Sequence, residues 1–369
     1  MPDPRILNLA KVLVEYSVKI KEGDQVLIQS TPVAAPLVHE IYRLALRRGA
    51  HPLLMIALPG TEPIFFENAN EAQLQYISPV QQYIFENFDA RLSIAGDVNT
   101  RELSGIDPAR QAIRAQAMRP LVKTFMERSA SGALRWVGSL FPTDAYAQDA
   151  EMALADFEEF VYGACLANDS DPVAGWQKVA ERQQVLVDWL QGKQEVHLIG
   201  PDTDLTVGIA GRPFINCCGD HNMPDGEIFT GPEETRVNGH VRFSFPAVSH
   251  GREVEDVRLW FEDGVVVKWS AAKNEAYLTE MLNTDEGARR LGEFAFGTNF
   301  GIRRFVKNIL FDEKIGGTVH MALGAGYPDS GSNNHSAIHW DMICDLRQGG
   351  EVYVDGKLFA KDGKYVLWG

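Results

Sequence analysis

The chain is poor in cysteine and in basic residues for its 369 positions. Its four cysteines, Cys165, Cys217, Cys218 and Cys344, form no CxxC pair, which predicts reduced thiols in a cytoplasmic protein rather than a disulfide framework. Lysine and arginine total 35 against 50 aspartates and glutamates, a formal net charge of -15. Because nucleic acids and anionic membranes are bound through clustered basic side chains, this balance argues against both as partners.

Long apolar runs and nucleotide-binding motifs are also missing. Charged residues interrupt the N-terminal stretch MPDPRILNLAKVLVEYSVKIKEGD, so neither a signal peptide nor a membrane span is predicted there. The turn STPVAAP, residues 30–36, follows the first apolar strand pattern and contains neither GxGxxG nor GxxxxGK. A phosphate-binding loop of either kind is therefore not predicted.

The first half of the chain alternates short apolar runs with helical patterns. Strands are predicted over 25–29, 51–58, 89–96 and 134–141, and helices over 6–20, 35–48, 108–127, 144–166 and 171–190. Alternation of this kind is typical of a mainly parallel sheet with helices on its faces. We therefore predict an α/β N-terminal domain over residues 1–192.

The second half has a different pattern. Short strands are separated by turn residues, including the pairs Asp263-Gly264 and Asp362-Gly363, which are good hairpin signals. Helical spacing is found only over 274–291 and about 303–310. We predict a second domain over residues 193–369, of α+β class and mostly antiparallel.

The segment NHSAIHWD near the C-terminus, residues 334–341, suggests a metal site. In a strand, residues i and i+2 lie on the same face, so His339 and Asp341 are predicted to point the same way. An imidazole nitrogen and a carboxylate oxygen suit a divalent ion such as zinc, cobalt, manganese or ferrous iron.

Two glutamates upstream lie in unusually apolar surroundings. Glu227 follows a Pro-Asp-Gly turn in NMPDGEIFTGP, and Glu293 lies among phenylalanines in LGEFAFGTN. A carboxylate in such surroundings is costly unless it is neutralised, paired or bound to a metal. Taken alone, either glutamate is more often a helix cap or a salt-bridge partner than a metal ligand.

Four motifs in order, DGEIFTGP, GEFAFGTN, DEKIGGTVHMALGAGY and NHSAIHWD, resemble the M29 family of metallo-aminopeptidases. The resemblance is specific in the second half, whereas the first half matches in size and pattern only. It implies a two-domain homodimer that removes N-terminal residues from peptides with two divalent metal ions per chain, of zinc, cobalt, manganese or magnesium. Carried over by position, it implies the metal ligands Glu227, Glu293, His320, His339 and Asp341.

The resemblance also implies roles in the reaction. Tyr327, seven residues after His320, matches the family's active-site tyrosine and would donate a hydrogen bond to the developing oxyanion. Two metals about 3.5–4 Å apart would activate a shared water, and three carboxylates with one hydroxide would balance their charge. Glu293 is our choice of bridging carboxylate, with Glu227 as the alternative. Glu313 is a candidate general base or a partner of the substrate ammonium, or else a salt-bridge partner of Lys314 or Arg304.

Several alternatives stay open. The loop between Tyr327 and His339 is shorter than in longer family members, which affects the expected substrate preference. His335 is an even number of residues from His339 and would lie on the same strand face. A role in supporting a ligand, or a position in solvent, is favoured over a ligand role. A ferrous-iron ring-cleaving dioxygenase of the dihydroxypyridine type is the rival enzyme, since it would need only two histidines and a carboxylate. A metal-stabilised binding protein without activity ranks last. Residues 1–192 are expected to cover the cleft and to provide dimer contacts.

Overall fold

The computed structural model describes residues 3–249 and 252–368. Its α-helices are α1 Pro4–Lys11, α2 Ala35–Arg47, α3 Thr61–Asn68, α4 Glu71–Gln75, α5 Pro79–Asn87, α6 Pro108–Ala130, α7 Asp144–Asp149, α8 Leu154–Ala164, α9 Pro172–Leu190, α10 Glu275–Leu282 and α11 Ile309–Asp312. A π-helical turn over Val12–Ser17 follows α1, and short 3-10 turns occur at Pro32–Ala34, Glu286–Arg289, Pro328–Ser330 and Val366–Trp368.

The strands of these described residues are short. They are β1 Gln25–Ser30, β2 His51–Ile56, β3 Ala90–Ala95, β4 Arg135–Leu140, β5 Glu195–Gly200, β6 Thr203–Gly208, β7 Ile215–Cys217, β8 Asn222–Met223, β9 Glu227–Thr230, β10 Val237–Phe243, β11 Ala247–Ser249, β12 Arg252–Val254, β13 Val257–Glu262, β14 Val265–Ser270, β15 Leu291–Gly297, β16 Thr318–Gly324, β17 His339–Asp345, β18 Glu351–Val354, β19 Lys357–Lys361 and β20 Lys364–Tyr365.

The chain divides into two compact units. The first comprises Met1–Trp176 with Gly219–Pro224, and the second comprises Gln177–Cys218 with Asp225–Gly369. The division therefore lies at Trp176, inside α9, and the chain returns briefly to the first unit at β8. The predicted boundary near residue 192 coincides with the end of α9.

The first unit is built on a five-stranded sheet in the order β2-β1-β3-β4-β8. All of its strand pairs are parallel. The central strands are formed by branched apolar runs, and their side chains at Val26, Ile28, Leu92 and Ile94 are buried. This confirms the prediction of an α/β half with a mainly parallel sheet, including its first four strands.

The second unit contains two large antiparallel sheets. One has eight strands in the order β14-β13-β10-β6-β5-β18-β19-β20, and the other has five in the order β17-β16-β15-β9-β7. Apolar side chains of both sheets belong to a single hydrophobic core, for example Leu198 and Leu259 from the first and Phe294 and Met321 from the second. The predicted antiparallel α+β half is confirmed.

Some predicted helices are wrong in extent. The helix expected over 303–310 is absent, because only the four-residue α11 forms there, beginning at Ile309. The helix expected over 274–291 ends at Leu282, and residue 291 already belongs to β15. The helix expected over 144–166 is broken into α7 and α8 around Glu151, whose φ is 55°.

None of the helices in residues 3–249 and 252–368 combines the length and the apolar character that crossing a bilayer requires.

Candidate metal centre

The predicted metal ligands share one face of the five-stranded antiparallel sheet. Glu227 lies on β9, Glu293 on β15, His320 on β16, and His339 and Asp341 on β17. The residues that follow or alternate with them, Ile228, Phe294, Met321 and Trp340, point into the hydrophobic core. The period of two in each strand therefore brings five polar side chains together on the opposite face.

Small residues on the same face leave room between the ligands. Across the ladders, Ala295 is paired with His320, and Ala322 is paired with both Asp341 and Glu293. Gly297 is paired with Glu227. A β-carbon at Gly297 would lie 2.1 Å from the carbonyl oxygen of Ile315. Glycine thus allows the loop before β16 to approach β15 closely at the position paired with Glu227.

The deeper part of the site is centred on His320, which is 0% exposed. Its Nε2 atom lies 3.0 Å from Oε1 of Glu293 and 3.2 Å from Oε2 of Glu227. One imidazole nitrogen and two carboxylate oxygens thus converge from three strands. The three residues offer ligand atoms within 4.8 Å of one another, which is the spacing a single ion requires.

The outer part of the site is centred on His339, whose side chain is 27% exposed. Its Nε2 atom lies 3.5 Å from Oδ1 of Asp341 and 3.8 Å from Oε2 of Glu293. Its Nδ1 atom lies 2.7 Å from the carbonyl oxygen of Ala325. Because a carbonyl only accepts, Nδ1 carries the hydrogen, and Nε2 is left as the ligand atom.

Glu293 connects the two parts. Its Oε1 atom faces His320 and its Oε2 atom faces His339. A carboxylate with one oxygen toward each group has the arrangement expected of a bridge between two ions. Glu227 contacts only the deeper part, so the geometry favours Glu293 over Glu227 as the bridging residue.

The side chains fit divalent cations. Two buried carboxylate oxygens, Oε2 of Glu227 and Oδ1 of Asp341, have no hydrogen-bond partner. Leaving such atoms unpaired is costly in the interior, and a bound cation would satisfy both. Imidazole and carboxylate ligands together suit zinc, cobalt and manganese.

The pKa values of these side chains show how strongly the carboxylates of the centre attract positive charge. Burial disfavours the charged form of His320, but its hydrogen bond with Glu293 and the charge of Glu227 outweigh burial and raise its pKa to about 10. For His339, burial is outweighed by Asp341 and Glu293, and its pKa rises to about 9. Burial raises the pKa of Glu227 to about 8, against the attraction of Lys314. Protons and metal ions therefore compete for the same atoms.

Tyr327 lies at the edge of the centre. Its ring centroid is 5.3 Å from that of His339 and 5.8 Å from that of Phe229, in edge-to-face contacts. The residue is 42% exposed, so a substrate can reach it. Partial burial, and then the nearby carboxylates beginning with Glu293, raise the pKa of its hydroxyl above the usual value. Tyr327 therefore stays a hydrogen-bond donor at neutral pH.

Glu313 is close to the centre and paired with a lysine. Its carboxylate, a nitrogen of His320 and a carboxylate oxygen of Asp341 lie within 4.8 Å of one another. Its Oε1 atom accepts a hydrogen bond from Nζ of Lys314. Lys314, one of its two predicted salt-bridge partners, is thus a contact of Glu313. Glu313 makes this contact while lying beside the proposed ligands.

Three residues at the centre are absent from the predicted set. Lys314 is fully buried and lies 3.8 Å from Oε1 of Glu227. Asp225 and Cys217 each bring one ligand atom within 4.8 Å of one from Glu227. Asp225 precedes Glu227 in the same motif, but Cys217 reaches it only through the pairing of β7 with β9. His335, in contrast, lies in an exposed loop position outside β17.

The chain is similar to several known aminopeptidases along nearly its whole length. Aminopeptidase T of Thermus aquaticus is 28% identical over an alignment of 410 residues, which covers 97% of this chain and 95% of that protein. Aminopeptidase 2 of Geobacillus stearothermophilus is 30% identical over 397 residues, covering 96% and 94%. The solved structure of AmpT from Thermus thermophilus superposes with a TM-score of 0.85 at 25% identity, covering 98% of this chain and 99% of that one.

A more distant likeness concerns the fold alone. The structure of 2,5-dihydroxypyridine dioxygenase from Pseudomonas putida KT2440 has a TM-score of 0.58 at 13% identity, covering 98% of this chain and 96% of that one. The rival enzyme therefore shares the architecture at a much lower similarity. The model of the M29 peptidases, described as thermophilic metalloproteases, matches residues 3–365. The chain belongs to this M29 family of metalloproteases.

Proposed function

We propose that this protein is a metal-dependent aminopeptidase that releases N-terminal residues from peptides with two divalent metal ions per chain. The observation that carries the proposal is the position of Glu293, whose two oxygens face two different histidines. One ion would be held by Glu227, Glu293 and His320, and the other by Glu293, His339 and Asp341. When bound, such a pair lowers the pKa of a shared water toward neutrality and polarises the scissile carbonyl.

The chain's own residues would supply the remaining chemistry. Tyr327 is neutral and accessible, and its hydroxyl would donate a hydrogen bond to the carbonyl oxygen as negative charge develops there. Glu313 would accept the proton of the attacking water and return it to the leaving amine nitrogen. The buried side chains of Glu227, Glu293 and His320 would exclude bulk water from the reacting atoms.

Metal counting with a hydrolysis assay tests the proposal. After chelation and reconstitution, we expect two divalent ions per chain and hydrolysis of an aminoacyl anilide, but no hydrolysis of its N-acetylated form. The acetylated compound is the matched control because it retains the scissile bond and lacks the free amine. One iron per chain with oxygen-dependent turnover would instead identify the ring-cleaving dioxygenase.

The proposal includes a cytoplasmic homodimer. Within the described residues the four cysteines form no disulfide, which supports a reducing compartment. The edge strand β2 exposes Leu53, Leu54 and Ile56, each by about two fifths of its surface, and such an edge is usually covered. We expect residues 1–192 to supply dimer contacts there, and analytical ultracentrifugation of the whole chain measures the mass. That residues 1–192 cover the cleft stays a prediction.

A further inference from the structure

Lys314 is a buried cation beside Glu227 and Glu313 of the metal centre. Its side chain is 0% exposed, and its Nζ atom donates a hydrogen bond to Oε1 of Glu313. The same Nζ lies 3.8 Å from Oε1 of Glu227. An ammonium group is rarely buried unless it is paired. Here it is paired with Glu227, itself a proposed ligand, and with Glu313 beside the ligands.

The backbone determines where this ammonium group lies. The carboxylate of Asp312 accepts hydrogen bonds of 2.7 Å from the backbone N–H groups of Val306 and Asn308. The carbonyl oxygen of Lys314 accepts a 3.0 Å hydrogen bond from the N–H of Asn299. The loop is therefore held just before the lysine and at the lysine itself, which fixes the backbone from which its buried side chain extends.

The two oxygens of Glu227 face different partners. Oε1 faces Lys314 at 3.8 Å, whereas Oε2 faces His320 at 3.2 Å and has no hydrogen-bond partner. Glu313 has one oxygen bonded to Lys314 while also lying within ligand distance of His320 and Asp341. Without the lysine, both glutamates could offer a further oxygen to a metal ion.

We propose that Lys314 is a positioning residue that keeps Glu313 out of the metal coordination and limits Glu227 to one ligand oxygen. Glu313 then stays available as the proton acceptor of the reaction. This inference rests on the proposed aminopeptidase function. The positive charge of Lys314 also offsets the negative charge that Glu313 adds beside the centre.

A double-mutant cycle tests the proposal. The variants are Glu313→Gln, Lys314→Met and the double variant, each compared with the wild type for kcat, KM and the Kd of cobalt for the metal-free protein. We expect Lys314→Met to lower kcat by at least about 100-fold, the lower range for loss of a general base. The double variant should be no slower than Glu313→Gln alone, because both changes remove the same function.

Metal affinity distinguishes a lysine that keeps carboxylates away from the metal from a lysine that merely supports a metal ligand. A residue that merely supports a ligand typically costs about 10–100-fold in metal affinity when it is removed. We expect the opposite for Lys314→Met, a cobalt Kd at least about tenfold lower, because a nearby cation is lost and two carboxylate oxygens are freed. A weaker cobalt affinity, a kcat within threefold of wild type, or multiplicative effects in the double variant would overturn the proposal.

A conservative variant and a fold control complete the design. Lys314→Arg keeps the positive charge with a larger head group, so we expect an intermediate kcat and a cobalt Kd near that of the wild type. Thermal unfolding measures whether each variant is folded, and Lys314→Arg carries the test if Lys314→Met is not. Calorimetric cobalt binding does not depend on the reaction. A wild type that fails to hydrolyse the anilide would therefore reject the aminopeptidase function and leave the positioning of Glu227 and Glu313 measurable.

Discussion

The two five-stranded sheets of this protein differ in how deeply they bury ionisable side chains. In the parallel sheet of the first unit, Arg91 and Ser93 on β3 are half-buried and bond to each other at 3.1 Å. In the antiparallel sheet of the second unit, every residue of β15 and β16 is buried. Those two strands nevertheless carry Glu293 and His320.

This difference indicates where the chain keeps buried carboxylates that destabilise the fold but are needed for function. Burying an ionised carboxylate costs several kcal/mol unless it is paired. Burial also disfavours the charge of Arg91 and lowers the pKa of its guanidinium, but its half-exposed position leaves it partly hydrated and its Nε donates a hydrogen bond to Ser93. The unpaired buried carboxylate oxygens on β9 and β17 are therefore explained by a cation, whereas the polar groups on β3 need no ligand.

The strongest way to test the comparison is Glu293→Gln. The amide keeps the size of the side chain and can still accept a hydrogen bond from His320, but it removes the charge shared by the two parts of the centre. We expect hydrolysis to fall by at least about 10,000-fold, the scale found when one member of a catalytic unit is lost. Circular dichroism should show an unchanged fold. Near wild-type activity would mean that Glu293 does not contact a metal ion.

The next effect is expected from Tyr327→Phe. Losing one donor to an oxyanion typically costs about 2.7–4 kcal/mol, or about 100- to 1,000-fold in kcat. The loss should appear in kcat rather than in KM, because the contact strengthens in the transition state. Tyr353→Phe is a matched control, since its hydroxyl bonds only to Glu351 on the eight-stranded sheet. A rise in KM with unchanged kcat would assign Tyr327 to ground-state binding instead.

Metal affinity should depend steeply on pH. A metal ion binds neutral imidazole, yet the pKa values of His320 and His339 are raised to about 10 and about 9 in the metal-free protein. At pH 7 both rings hold a proton that metal must displace, so affinity should rise with pH by about tenfold per unit for each proton. The rise should level off as pH passes through these pKa values.

Titration calorimetry in buffers of different ionisation enthalpy counts the released protons. We expect up to three protons per chain at pH 7, one each from His320, His339 and Glu227. His197→Ala is the control, because His197 lies on the eight-stranded sheet and bonds to Asp204. A pH-independent Kd between pH 7 and 9 would show that both rings are already neutral in the metal-free state.

The comparison also shows what could be predicted from the sequence. The strands β1 to β4 follow from branched apolar runs, and the common face of His339 and Asp341 follows from simple alternation. The position of β8 could not be predicted, because it has two residues and is defined only by its pairing with β4 at Gly138. The helix expected over 303–310 failed because the segment bends around the buried carboxylate of Asp312.

Lys314 was missed for a related reason. A lysine beside a glutamate in DEKIGG has the local appearance of an exposed ion pair, the usual place for such residues. Its burial follows from the approach of Ile315 to Gly297 and from the loop's hydrogen bonds, which are long-range contacts without a local signature. The proposed ligands are predicted by the ordered motifs rather than by periodicity, so the resemblance supplies what spacing alone cannot.

The smallest expected effect completes the comparison, and it concerns Ser93→Ala in the parallel sheet. The serine hydroxyl accepts a hydrogen bond from Nε of Arg91, whose guanidinium group also lies over the rings of Phe85 and Phe125 at 5.2 and 5.5 Å. Because this face is half-exposed, water can replace the hydroxyl, and we expect a loss of about 0.5 kcal/mol in the free energy of unfolding. Urea denaturation measures that loss, and anilide hydrolysis should be unchanged. A loss of activity comparable with that of Glu293→Gln would mean that the parallel sheet, too, holds its polar groups for the reaction.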